Sequence, residues 1–193
     1  MKPTRKIIGR TVTMAVSLML LSMLSLAQSY SLSGSPVITI AGTSTMHDWT
    51  MTSNEATCQA TFETDASGNP TKISSLVINI QAESLKSGKG AMDKNAYNAL
   101  KTDKNKLITF QISAAQINGK TVSSNGNLTI AGTSKPTEVS ATFEVLGDKS
   151  VQFKGSKKMK MSDYKVEPPT FMFGSIKTGD EITITYELKL SPK

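Results

Sequence analysis

The most concentrated group of reactive side-chain types in the chain is His47-Asp48-Trp49. An adjacent His and Asp could serve as an acid/base pair or as two metal ligands. The spacing argues against both, because successive residues of an extended chain point to opposite faces and do not share a substrate. His47 is the single histidine and Cys58 the single cysteine. A zinc site built on several His or Cys ligands therefore has no material, and neither has an intramolecular disulfide. A Ser-His-Asp triad would need a nucleophile that nothing in the spacing designates. These residues predict a structural hydrogen bond from His47 near a barrel end, with Trp49 packed beside it. Cys58 shares a face with Ala60 and Phe62 and reads as a buried, inert thiol. No catalytic residue, metal or cofactor is expected.

Two lysine groups stand out, at Lys86, Lys89, Lys94, Lys101, Lys104 and Lys106 and at Lys154, Lys157, Lys158 and Lys160. They fit either a solvated face or transient contact with an anionic membrane surface. Glu83, Asp93 and Asp103 interleave the first group. Residues 159–176 are apolar for a loop, with Met159, Met161, Tyr164, Val166, Phe171, Met172, Phe173 and Ile176 around Pro168-Pro169. Methionine adapts to irregular apolar surfaces, so this segment reads equally as a lid over an apolar ligand or as a plug for a barrel end.

The elements that position these residues begin after an N-terminal tag. Lys2, Arg5, Lys6 and Arg10 precede an uncharged Leu/Met-rich run from Thr11 to Ala27, which closes on Ser25-Leu26-Ala27. That is the layout of a cleaved secretory signal peptide over residues 1–27, leaving a single domain over 28–193 in the periplasm or outside the cell. The full chain of 193 residues carries a net charge of +7. Removing the tag with its four basic residues leaves 166 residues and a net charge of +3. The low charge, the export signal and the lack of aromatics among the basic stretches argue against nucleic acid as a partner.

Along the remaining chain the dominant pattern has period two, as strands require. Ile182, Ile184, Tyr186, Leu188 and Leu190 share one face, as do Cys58, Ala60 and Phe62; Leu76, Ile78 and Ile80; Ile108, Phe110 and Ile112; Val139, Ala141, Phe143 and Val145; and Val151 and Phe153. Asn118-Gly119, Gly147-Asp148, Gly179-Asp180 and Ser67-Gly68-Asn69-Pro70 supply turns, and Asn125-Gly126 reads as a bulge. Ile38–Ser44 is echoed by Leu128–Ser134, which suggests two equivalent hairpin corners. One helix is expected between Ala91 and Thr102, where Met92, Ala96, Ala99 and Leu100 fall at helical spacing. The count is eight or nine strands with a helix after the fourth, an all-β sandwich or closed barrel. A barrel with its apolar face inward is favoured over a membrane barrel, since aromatic girdles are missing.

Four stretches carry a family resemblance: GTSTMHDWT (42–50), ESLKSGKGAMDKNAYNALKTDKNKLITFQI (83–112), GNLTIAGTSKP (126–136) and MKMSDYKVEPPTFMFGSIKTGDEITI (159–184). Together they resemble the YceI-like family of exported polyisoprenoid-binding domains, over roughly residues 36–190. His47 and Trp49 occupy the HDW positions, Met92, Asp93 and Tyr97 the helix motif, and Pro168, Pro169, Phe173 and Gly174 the late loop motif. The chain departs from the pattern at Asn105-Lys106-Leu107, where an aromatic–Pro pair is common, and at Ser134 before Lys135. The resemblance implies an extended, lipocalin-like antiparallel barrel of eight strands with an inserted helix. It also implies an apolar channel for an isoprenoid or other long-chain lipid, and for some members a homodimer. No catalytic residues are established for the family in general.

On this reading Phe62, Ile78, Ile80, Phe110, Ile112, Phe143, Phe153, Ile184 and Tyr186 line the channel. His47, Trp49, Met92, Tyr97, Leu100, Phe171 and Phe173 form its mouth. The expected function is non-enzymatic binding, storage or transport of the lipid. The alternative is an exported structural or stress-related barrel whose interior is filled by its own side chains.

Overall fold

The computed structural model describes residues 26–193. The expected signal peptide falls almost wholly outside the described residues; only Leu26 and Ala27 of it are present, at the start of the first strand. Among the described residues twelve strands form, in chain order: β1 (Leu26–Leu32), β2 (Val37–Ser44), β3 (Trp49–Ser53), β4 (Ala56–Thr64), β5 (Pro70–Gln81), β6 (Leu107–Ile112), β7 (Ala115–Asn118), β8 (Thr121–Ile130), β9 (Thr133–Val145), β10 (Val151–Lys160), β11 (Thr170–Phe171) and β12 (Ile176–Pro192). Among the described residues one α-helix forms, α1 (Gly90–Leu100), between β5 and β6. The strand count exceeds the expected eight or nine because β1, β7 and β11 lack an apolar alternation long enough to register.

Eight strands close a barrel in the order β1-β4-β5-β6-β8-β9-β10-β12, and β12 returns to β1 through Tyr30↔Pro192, Ser31↔Ser191 and Leu32↔Leu190. Every pairing is antiparallel. β12 serves two partners along one edge: its C-terminal end meets β1, and the stretch from Thr178 to Glu187 meets β2. β3 hangs on the far side of β2, and its Thr52 exchanges two backbone hydrogen bonds with Lys86, at 2.8 and 3.0 Å, to complete the wall there. The ladder between β9 and β10 runs only from Val145/Val151 to Ala141/Gly155. Beyond that point the two strands part. A 3-10 turn (Ser162–Tyr164) fills the wedge, with the buried Tyr164 hydroxyl 2.6 Å from Thr137 Oγ1.

The apolar face points inward. On β8 the residues Val122, Leu128 and Ile130 are buried, and Thr121, Ser123, Asn125 and Asn127 are exposed. The buried side chains form two clusters. One is a dense core around Phe62, Phe143 and Phe153; the other lies under α1 around Met51, Leu85, Ile108, Ile130 and Tyr164. Cys58 lies in the first, where burial pushes its thiol pKa up to about 12. No described helix is long and apolar enough to cross a membrane.

Local expectations meet mixed outcomes. α1 forms where its spacing places it. Its start is held by Asp93, whose carboxylate accepts from the Ser87 hydroxyl (2.6 Å) and backbone N–H (2.8 Å), and both bonds hold its pKa below the usual value. The helix stops at Lys101, which adopts a left-handed φ of 54°. The two echoed segments are not equivalent corners. Ala131 (φ 49°) and Gly132 (φ 78°) do make a tight turn between β8 and β9, but Ala41-Gly42 stays extended inside β2 and the turn follows at 45–48. Gly42 is needed there because a Cβ would sit 2.4 Å from the Trp49 ring. Asn125-Gly126 is no bulge, since the β8–β9 register is unbroken; a Cβ at Gly126 would meet the Phe110 ring at 2.5 Å. Gly179-Asp180 is not a turn but an irregularity within β12, between Thr178 and Ile182.

Candidate functional site

One end of the barrel is solid. Tyr30 and Phe62 pack edge to face at 4.6 Å between ring centroids, and Phe143 and Phe153 do so at 5.3 Å. Phe62 is fully buried. Surface turns lace this end shut. The Tyr30 hydroxyl donates to the Lys149 carbonyl (3.2 Å), Lys149 Nζ donates to Asn69 Oδ1 (2.7 Å), and Lys189 pairs with Asp148 (3.2 Å).

The other end holds a cavity of about 370 Å³. That lies within the roughly 300–1,000 Å³ usual for small-molecule sites. Its walls come from five sources. The barrel contributes Ile38, Ile40, Met51, Ile80, Ile108, Ile130, Ile182 and Ile184. One face of α1 contributes Met92, Asn95, Ala96, Ala99 and Leu100, and Leu85 precedes it. The end of β10 contributes Met159, the β10–β11 connection after it Met161, Tyr164, Val166 and Pro169, and the β11–β12 hairpin Phe171 and Ile176. The turn between β2 and β3 adds Met46 and His47, and the first residue of β3 adds Trp49. The groups with polar side chains are Ser44, His47, Lys89, Asn95, Lys160, Tyr164, Thr170 and Thr178, besides the Trp49 indole. Tyr164 is already bonded to Thr137, and Trp49 Nε1 donates to the Thr43 carbonyl at 3.0 Å.

The wall is open for a physical reason. Alanines and methionines of α1 and the β10–β11 connection stand where phenylalanines fill the other end. They leave volume and flexible surface behind.

The sequence-derived channel residues divide between the two ends. Ile80 and Ile184 line the cavity. Phe62, Ile112, Phe143 and Phe153 do not; they are buried in the solid core, and Ile78, Phe110 and Tyr186 pack against it. A continuous channel through all nine positions is therefore corrected to a blind cavity, because large rings on the inward face occupy the rest of the interior. Tyr186 reaches over Gly155 to donate to the Ser140 carbonyl (2.7 Å), where the β9–β10 ladder splits, and burial raises its pKa.

Of the expected mouth residues, His47, Trp49, Met92, Leu100 and Phe171 border the cavity. Tyr97 does not. Its hydroxyl shares its one proton between the carbonyls of Glu83 (2.9 Å) and Leu85 (2.8 Å) and accepts from Lys86 Nζ (2.7 Å), and this last bond raises the Lys86 pKa. Tyr97 thus clips α1 to the 3-10 turn before it. Phe173 also leaves the cavity and faces solvent. It and Met172 occupy consecutive left-handed positions (φ 56° and 49°) at the tip of the β11–β12 hairpin. The left-handed conformation costs roughly 1–2 kcal/mol per non-glycine residue.

His47 is exposed, and its Nδ1–H donates to the Asp48 carbonyl at 2.7 Å. Ser44 Oγ accepts from the backbone N–H groups of Met46 (3.2 Å) and His47 (3.1 Å), which fixes the turn. Among the described residues, no three or more His, Cys, Asp or Glu side chains gather as a metal site. Sequence reasoning missed Ile38, Ile40, Met51, Leu85 and Ile130 as wall residues. Alternation could have found the inward face of each strand, but not the depth at which each residue sits.

The comparisons agree with this architecture. The family model of the YceI-like domain matches residues 31–190. Among solved structures, Burkholderia cenocepacia BcnA aligns with a TM-score of 0.64 at 17% identity, covering 80% of this chain and 95% of that one. A polyisoprenoid binding domain from Saccharophagus degradans, implicated in plant cell wall breakdown, aligns with a TM-score of 0.64 at 10% identity, covering 86% of this chain and 99% of that one. The YceI protein of Campylobacter jejuni aligns with a TM-score of 0.55 at 21% identity, covering 70% and 81%. No curated protein matches the chain. With its barrel, inserted helix and family match over 31–190, the chain belongs to the YceI-like domain family.

Proposed function

We propose that the protein holds a polyisoprenoid or other long-chain apolar lipid in the cavity, without chemistry, as an exported carrier or reservoir. The observation that carries this reading is the wall: isoleucines, methionines, alanines and aromatic rings inside, with lysines and His47 among its few polar groups. Each methylene unit moved from water into such a wall gains about 0.8 kcal/mol before association costs. Nothing in that term needs a nucleophile, a metal or a charged partner. The Saccharophagus degradans neighbour, described as a polyisoprenoid binding domain, supports the same ligand class.

The filled half of the barrel favours a second reading, a structural barrel without a ligand. Native mass spectrometry of protein purified from the exporting cell separates the two. A bound lipid mass is expected, and a clean apo mass with no extractable lipid would count against the carrier. Ala96→Trp tests the location. Its indole would fill the cavity from α1 and abolish uptake of a long-chain probe while the fold, read by circular dichroism, persists. Unchanged uptake would place the ligand elsewhere.

A further inference from the structure

The rim of the cavity displays more apolar surface than the cavity uses. Met172 and Phe173 line nothing, yet they are 61% and 112% exposed at the hairpin tip. Met46, 65% exposed, stands in the β2–β3 turn. That turn and the hairpin form one rim, since Thr45 N–H donates to the Lys177 carbonyl (3.0 Å) and Lys177 N–H donates to Thr45 Oγ1 (3.1 Å). A left-handed backbone at Met172 and Phe173 holds these side chains out in water instead of folding them in. Large apolar side chains grouped in the open mark a site of interaction.

Charge is distributed to match. The segment 83–106, which contains α1 and borders the same cavity, carries six lysines against three acids. That excess of three equals the whole net charge of residues 28–193, so everything outside the segment is balanced. Among the described residues, Lys89, Lys94, Lys101, Lys104 and Lys106 make no ion pair. The acids nearest the tip in sequence, Asp163, Glu167, Asp180 and Glu181, outnumber Lys160, Lys165 and Lys177 by one, and Asp180 is engaged by the Ser162 backbone and hydroxyl.

We propose that this end of the barrel docks on an anionic phospholipid bilayer. Met172, Phe173 and Met46 enter the headgroup–acyl boundary, and the lysines of the α1 segment face the lipid phosphates. The cavity then opens toward the membrane. The role of docking rests on the lipid-binding reading above, but the surface itself does not. A second copy of the chain fits less well. The exposed tip offers three large apolar side chains, against the roughly 20–30 residues per partner of a stable interface, and a twofold contact would set the basic segment near its own copy.

The test is co-sedimentation with vesicles of phosphatidylcholine containing about one-third phosphatidylglycerol, compared with pure phosphatidylcholine, at ~0.1 M salt. The protein is expected to partition to the anionic vesicles. Met172→Ser with Phe173→Ser should lower that partition about ten-fold, and Lys94→Glu with Lys104→Glu and Lys106→Glu by about ten-fold or more. None of these five residues lines the cavity. Absence of vesicle binding by the unaltered protein, equal binding to both vesicle types, or unchanged binding in both variants overturns the proposal. Self-association that disappears in the tip variant, with no vesicle binding, overturns it in favour of a second copy. Uptake of a fluorescent long-chain probe in vesicle-free buffer reads the cavity separately. Docking without uptake would remove the carrier reading alone, and uptake without docking would remove the docking surface alone.

Discussion

The two ends of the barrel share strands, alternation and an inward apolar face, yet one is solid and the other hollow. Along β12, Leu188 and Leu190 sit in the dense core, whereas Ile182 and Ile184 on the same face line the cavity. The cross-strand partners decide the difference. Phe153 stands beside Leu188 in the closed half, and Met159 beside Ile182 in the open half. At the closed end rings interlock and turns are cross-linked. At the open end a helix and a 3-10 turn cover the gap with small or flexible side chains. A β-barrel interior is thus not committed by its fold to being a core or a pocket; the size of a few side chains settles it.

Four substitutions probe that division, beginning with the largest expected effect. Phe143→Ala empties a fully packed position and should cost about 3–5 kcal/mol of stability in denaturant unfolding, with lipid affinity per folded molecule unchanged. A loss of affinity would mean the ends are not separate. Ile184→Ala should cost less, about 2–3 kcal/mol, because its site already abuts free volume; unlike Phe143→Ala it should weaken uptake. Gly42→Ala forces a methyl group against the Trp49 ring and should cost about 1–2 kcal/mol. Its signature is a shift in the emission of the single tryptophan, and an unmoved spectrum would show that the rim yields elsewhere.

The smallest effect concerns the closed end in acid. Asp148 accepts from the Ser150 hydroxyl and backbone N–H and pairs with Lys189, which lowers its pKa to about 2. A carboxyl whose folded pKa is depressed contributes stability above its ordinary value near 3.9 and loses it as the pH falls through the folded value. Thermal melts between about pH 4 and pH 2 should therefore show a shallower loss for Asp148→Asn than for the unaltered chain. Identical slopes would show that this turn does not help hold the closed end.

How much of this was legible in the sequence depends on the element. The run from Ile182 to Leu190 announces a strand, and β12 contains it. Its start at Ile176 was hidden because the irregularity between Thr178 and Ile182 breaks the alternation. β9 was visible from Val139 onward, but Thr133–Glu138 has no apolar residue at the strand period and pairs only through backbone. The helix was legible from the spacing of Met92, Ala96, Ala99 and Leu100. The site was legible only as a face. Periodicity says which way Phe62 and Ile184 point, but not that one lies deep among rings and the other beside a void. Depth is set by register between strands far apart in sequence, which a single chain does not display. The tip residues Met172 and Phe173 were read as part of a lid or plug; their left-handed backbone, which turns them outward, has no signature in residue type.

The joining of β1 to β12 has a consequence for how the molecule comes into being. The barrel shuts by pairing Tyr30 with Pro192, residues 162 positions apart in the sequence. A nascent chain in which β12 has not yet emerged lacks one side of that seam, so its sheet is open. Contacts between residues so far apart in sequence also place the barrel among slow folders, on the millisecond-to-second scale typical of non-local β topologies. Pairing of β1 with β12 is therefore the step that closes the barrel.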